Sequence, residues 1–185
     1  MNSREVVIGV AGGIAAYKAA ALVSQLIQAN VHVTVVMTES ARHFIAPSTF
    51  AALTGRPVAL EIFEDEQYPL GAHITLAQRA DLLCIAPATA NILAKAAHGL
   101  ADDLLSTLYL CARKPVLVAP AMNCEMWDQP SVQRNVAQLR SDGVQIIDPE
   151  EGWLSCRQRG VGRMAAPETI FAAISAQLEN ERRVE

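Results

Sequence analysis

The amino-acid sequence predicts an α/β fold in three layers, a parallel sheet with helices on both faces. Three observations carry this. Short runs apolar on both faces recur along the chain. Longer segments with apolar residues at one-face helical spacing separate them. The turns that follow those runs hold nearly all of the unusual residues. Strands apolar on both faces belong in a sheet covered on both sides.

The elements follow in order. Residues 6–11 form the first strand, closed by Gly12 and Gly13. Residues 14–29 read as a helix, with Leu22, Val23, Leu26 and Ile27 along one face. Residues 31–37, rich in β-branched side chains, form the second strand. Residues 81–86, 115–119 and 144–147 are further strands. Helical patterns cover 40–54, 72–79, 89–97, 102–112, 130–142 and 167–180, and the polar residues 180–185 read as a frayed end. No linker or repeat divides the chain, so residues 1–185 are expected to form one domain, with a flexible flap at about 150–165.

The composition excludes several classes. Of 185 residues, 51% are hydrophobic and 18% charged, which excludes a disordered chain. The charged fraction lies below the usual ~25%, which suggests surface hidden in an oligomer, with a large core able to account for part of the deficit. A net charge of −4 excludes a strongly basic nucleic-acid footprint. The apolar stretches break well short of ~18 residues, so no membrane-spanning segment is expected. Residues 1–5 run straight into a strand, without the pattern of a signal peptide. The four cysteines, at 84, 111, 124 and 156, form no C-x-x-C pair and read as free thiols of a cytoplasmic protein. His32, His43 and His98 show no metal-ligand spacing, and no metal is expected.

In a sheet of this kind, ligands bind beyond the carboxyl ends of the strands. Gly12 and Gly13 allow either an anion at a helix N-terminus or simply a tight turn. Thr38 and Ser40 suit a helix cap or a phosphate. Two strand ends echo each other: 85–91, with Pro87, Thr89, Ala90 and Asn91, and 118–123, with Pro120, Ala121 and Asn123. The two asparagines would project donors and acceptors into a crevice or serve as turn formers. His73 stands at a helix start, where a capping or surface role competes with proton transfer. Residues 152–164 gather three glycines and three arginines near Cys156, the composition of a mobile lid or an ordinary surface loop.

These residues carry a resemblance. The run Pro120-Ala121-Met122-Asn123 with Met126 and Trp127, the His73-Ile74-x-Leu76 motif, the 86–91 turn and the Cys156 loop resemble the homo-oligomeric flavin-containing cysteine decarboxylases over about residues 4–178. The pattern is most similar to the members that decarboxylate 4'-phosphopantothenoylcysteine in coenzyme A biosynthesis. The resemblance implies a Rossmann-like (flavodoxin-like) sheet and FMN held between subunits of a homotrimer or dodecamer. It implies FMN contacts at Gly12, Gly13, Ile14, Thr38, Ser40, Thr89, Ala90, Asn91, Ile92, Ser106 and Ala121, with Thr107 beside them. His73 corresponds to the active-site histidine, Asn123 and Met126 to substrate positions, and Cys156 to the flap's thiol acid. The implied reaction is flavin oxidation of the substrate's cysteine side chain, loss of CO2, and re-reduction of the enethiol with a proton from Cys156. A peptidyl-cysteine decarboxylase and a non-catalytic FMN-binding regulatory protein are the alternatives. The family usually carries glycine and then an acidic residue after this cysteine; here Arg157 and Gln158 stand there. Many members are fused to a ligase domain, for which 185 residues leave no room, so a stand-alone enzyme or an excised half is expected.

Overall fold

The computed structural model describes residues 4–63, 68 and 71–184. Residues 1–3, expected to lead straight into a strand, lie outside them. Five parallel strands form the sheet: β1 (Glu5–Val10), β2 (His32–Met37), β3 (Leu82–Ala88), β4 (Val116–Pro120) and β5 (Gln145–Ile146), in the order β2-β1-β3-β4-β5. This is the flavodoxin-like order, and its reversal point lies between β1 and β3. Val6 pairs with Val33 on one side and Leu82 on the other, and Val118 joins Ile85 to Ile146.

Alternation along these strands builds two cores. Val6, Ile8, Val10, Leu82, Cys84 and Leu117 face α1 (Ala16–Gln28), α2 (Pro47–Thr54) and α8 (Pro167–Val184). Val7, Val36, Leu83, Ile85 and Val118 face α3 (Ala72–Arg79), α4 (Ala90–His98), α5 (Leu104–Cys111) and α7 (Pro130–Ser141). Helix α1 has no side-chain N-cap, so packing holds it. Leu22 and Leu26 are fully buried, each worth about 1.5–3 kcal/mol.

Four features differ from the sequence-based expectation. The helix expected over 40–54 is a 3-10 turn (Glu39–His43) followed by α2, because Ala46 is extended before Pro47 at the helix start. Strand β3 does not stop at Ala86. It continues through a cis Ala86–Pro87 bond and an irregular register to pair Ala88 with Pro120. The flap residues form an antiparallel hairpin, β6 (Glu150–Trp153) with β7 (Arg159–Arg163), rather than an irregular loop. Helix α8 runs to Val184, past the expected frayed start at 180, and Glu185 lies outside the described residues.

Candidate functional site

A cavity of about 780 Å³ opens at the carboxyl end of the sheet, around the reversal point. The turns after four strands build it. Gly12, Gly13 and Ile14 come from the β1 turn, Thr38 and Ser40 from the β2 turn, and Thr89, Ala90, Asn91 and Ile92 from the start of α4. Ala121, Asn123 and Met126 come from the segment after β4, where a short helix α6 (Cys124–Trp127) begins.

Main-chain hydrogen bonds fix these turns to one another. Ala11 N–H donates to the Pro87 carbonyl at 3.1 Å, Thr38 N–H to Val10 at 3.1 Å, and Ala121 N–H to Ala88 at 2.9 Å. Gly12 is required by closeness rather than by dihedral angle. A Cβ there would overlap Ser40 Cβ and lie 2.7 Å from its carbonyl carbon. At Gly13 a Cβ would meet only Thr89 Cγ2, at 3.7 Å. Thr89 accepts from Ile92 N–H at 3.4 Å and caps α4. Thr38 Oγ1 is buried and has no hydrogen-bond partner among the described residues. Such an orphan costs about 1–3 kcal/mol, so a ligand atom is its natural partner.

Charged groups that sequence reasoning did not single out also line the cavity. Lys18 Nζ donates to the Met164 carbonyl at 3.1 Å and shares the cavity wall with Arg163. Burial, and then the Arg163 charge, push the Lys18 pKa down, against Glu150 and Glu168. Lys95, also in the lining, bridges Asp102 and Asp103, each at 2.6 Å. Burial works against ionisation of Asp103, but hydrogen bonds from Lys95 and Ser106 outweigh it and hold the carboxyl below its ordinary range. Lys95 lies four residues after Asn91, one helical turn along, which is the signal that could have found it.

Asn123 caps α6: its Oδ1 accepts from Glu125 N–H at 2.7 Å. One lone pair of that oxygen is thereby engaged, and the amide NH2 is left as a donor at the cavity the residue lines. The hairpin covers the same edge. Trp153, Leu154, Ser155, Gly162 and Arg163 line the cavity, and Met122 N–H donates to the Gly162 carbonyl at 2.9 Å. Cys156 is exposed at the hairpin tip and is not part of the lining. Its neighbour Arg157 adopts φ +63°, the left-handed region that glycine occupies without strain.

Two further predicted residues are not part of the cavity lining in a single chain. Ser106 is fully buried, and its hydroxyl closes the capping box of α5 with Asp103. His73 lies in the first turn of α3, with Nδ1 buried and without a partner among the described residues. Neither side chain belongs to the lining, although Ser106 hydrogen-bonds to Asp103, which does, and α3 and α5 pack against each other.

Comparison with known proteins agrees with this architecture. The profile of the family described as Flavoprotein matches residues 1–179. The chain is 48% identical over 170 residues to the coenzyme A biosynthesis bifunctional protein CoaBC of Bacillus subtilis, covering 92% of this chain and 42% of that protein. The chain therefore spans less than half the length of that relative. Among solved structures, the FMN-dependent cysteine decarboxylase SpaF superposes with a TM-score of 0.85 at 39% identity, covering 97% of both chains. A PPC decarboxylase mutant complexed with pantothenoylaminoethenethiol superposes with a TM-score of 0.85 at 31% identity, covering 96% of this chain and 100% of that one. A sheet in the flavodoxin-like order, a cavity at its reversal point and a family profile that spans nearly all of the sequence lead to one assignment: this chain belongs to the Flavoprotein family.

Proposed function

We propose that this chain catalyses the FMN-dependent decarboxylation of 4'-phosphopantothenoylcysteine to 4'-phosphopantetheine in coenzyme A biosynthesis. One observation carries the reading: a single cavity gathers the glycine turn, the orphaned Thr38 hydroxyl, the α4 start and the Asn123 amide. The donor set fits FMN. Thr38 and Ser40 would hold its phosphate beside the close-packed Gly12 turn, while Gly13, Ile14, Thr89, Ala90, Asn91, Ile92 and Ala121 would border its ring. When bound, FMN supplies the two-electron oxidation of the cysteine side chain that makes CO2 loss accessible. The name of the PPC decarboxylase relative and its bound pantothenoylaminoethenethiol support this substrate class.

The chain's own residues do the rest. Asn123 directs its free amide donor at the substrate carboxylate and orients the bond that breaks. Met126 lies beside it on the same wall and packs against the substrate's apolar part. Cys156, at the hairpin tip, gives a proton to the enethiol. His73 acts in the oxidative half. Its absence from the lining of its own chain's cavity favours a site completed by a neighbouring subunit. Exposed Ile74 and Leu110, on the helices that carry His73 and Ser106, give that surface an apolar character suited to burial. A homotrimer or a dodecamer in the cytoplasm meets this requirement.

The likeness to SpaF favours one second reading, a peptidyl-cysteine decarboxylase. Such an enzyme stops at the enethiol and needs no thiol acid, so Cys156 separates the two. Mass analysis after incubating purified, FMN-loaded protein with 4'-phosphopantothenoylcysteine tests the proposal. Phosphopantetheine is the expected product, and it should give way to the enethiol in Cys156→Ser and to unchanged substrate in a still-yellow His73→Asn. A protein that takes up no FMN, or a His73→Asn variant of undiminished turnover, overturns it.

A further inference from the structure

The hairpin places a second thiol beneath Cys156. Cys124 opens α6, directly after Asn123, and β7 lies across it. A Cβ added at Gly160 would come within 2.8 Å of Cys124 Cβ and 3.1 Å of its Sγ. Gln158, near the hairpin tip, presents one oxygen to both sulfurs. Cys124 Sγ lies 3.8 Å and Cys156 Sγ 4.0 Å from the same Oε1. Both thiols are free and neither is fully buried, whereas Cys84 is buried and its thiol pushed up to about 12. The root of the hairpin is anchored by the hydrogen bond from Met122 N–H to the Gly162 carbonyl, and the tip that carries Cys156 is closed by the bonds from Leu154 N–H to the Gln158 carbonyl and from Arg157 N–H to the Leu154 carbonyl.

We propose that Cys124 and Cys156 form an oxidisable dithiol, a modification site that takes low-molecular-weight disulfides as its reagent. The exposed Cys156 thiolate attacks one sulfur of the small disulfide, and one small thiolate leaves. The Cys124 thiolate then attacks Cys156 Sγ, and the second small thiolate leaves with the electron pair. The protein loses two electrons and two protons, and the reagent becomes two thiols. A bridge requires the two Cα atoms within about 7 Å, so the Gln158 side chain that now lies between the sulfurs must move aside as the hairpin tip closes on Cys124. The bridge pins the hairpin onto the Asn123 segment and removes the Cys156 proton. Only that loss of turnover rests on the role proposed for Cys156; the bridge itself does not.

Full-length FMN-loaded protein is incubated with glutathione disulfide, and non-reducing peptide mapping is read beside turnover. The expected result is one cross-linked pair of peptides carrying Cys124 and Cys156. Phosphopantetheine formation should fall in step with it, and dithiothreitol should restore both. In Cys124→Ser the cross-link disappears, Cys156 stays glutathionylated and turnover before oxidation is unchanged. A parent protein in which Cys156 stops at the glutathione adduct, or in which Cys156 pairs with Cys111 or with a second chain, overturns the proposal. The peptide map detects the bridge whether or not the protein decarboxylates anything.

Discussion

Gly12 and Gly13 are neighbours in one turn, yet replacing them with alanine should have opposite consequences. A methyl group at Gly12 would overlap Ser40 Cβ and sit within 2.9 Å of Ser40 backbone atoms, which cannot swing aside as a side chain can. Overpacking of this kind costs about 1–3 kcal/mol. For a chain of this length each 1 kcal/mol lowers Tm by about 2–4 °C, so Gly12→Ala apoprotein should melt about 2–12 °C below the parent. At Gly13 a methyl would touch only Thr89 Cγ2 at 3.7 Å, an ordinary contact, so apoprotein stability should stay within about 0.5 kcal/mol. That methyl enters the cavity, however, and FMN binding should weaken. Calorimetry of the apoproteins, followed by titration with FMN and quenching of flavin fluorescence, separates the two effects. A Gly12→Ala apoprotein that melts with the parent would refute the close-packing argument; a Gly13→Ala protein with parental FMN affinity would move the cofactor off that turn.

Asn123→Asp keeps a cap for α6 but exchanges the amide donor for a negative charge. Loss of a hydrogen bond to a charged group is worth about 1.5–3 kcal/mol, so kcat/KM should fall about 10- to 150-fold with unchanged Tm. Asp103 is held below its unfolded pKa, so the stability it contributes is present above about pH 4 and is lost as pH falls through its folded value. Asp103→Asn should therefore flatten the acid side of a denaturation-versus-pH curve, and a curve of unchanged slope would contradict the Lys95 pairing. Arg157→Gly relieves a left-handed residue worth about 1–2 kcal/mol, offset by the greater freedom of glycine when unfolded. A net gain of about 0.5–1 kcal/mol in urea unfolding is expected.

Strands β1 to β4 were legible because both faces of their central residues are buried, which leaves continuous apolar runs such as Val6–Ile8 and Leu82–Ile85. The short β5 has Gln145 exposed and was marked only by the apolar residues around it. The hairpin was not legible. Its residues are mostly exposed and rich in glycine and arginine, so no alternation marks them as strands. Pro47 was the visible break in the 40–54 segment, and helical periodicity on either side of it concealed the change of helix type. Cavity residues that sit on turns, such as Gly12 and Asn123, were legible because main-chain geometry demands unusual residues there. The Lys95–Asp103 pair was not, because it joins two helices across the turn after Gly99 and nothing in linear spacing brings the partners together. His73 was singled out by its place at a helix start, its proton chemistry and its motif, and it does not line the cavity of its own chain.

Because His73 is not among the residues that line the cavity of its own chain, lesions at His73 and in the lining damage different halves of the site proposed to be shared between subunits. Their genetics should then differ from those of an enzyme whose site is self-contained. An allele encoding His73→Asn and one encoding Asn123→Asp, each unable to support growth alone, should rescue each other when expressed together. Some sites in a mixed assembly join an intact cavity from one chain to an intact His73 from another. Two alleles that both damage the lining, at Gly12 and Asn123 for example, regenerate no whole site in any combination.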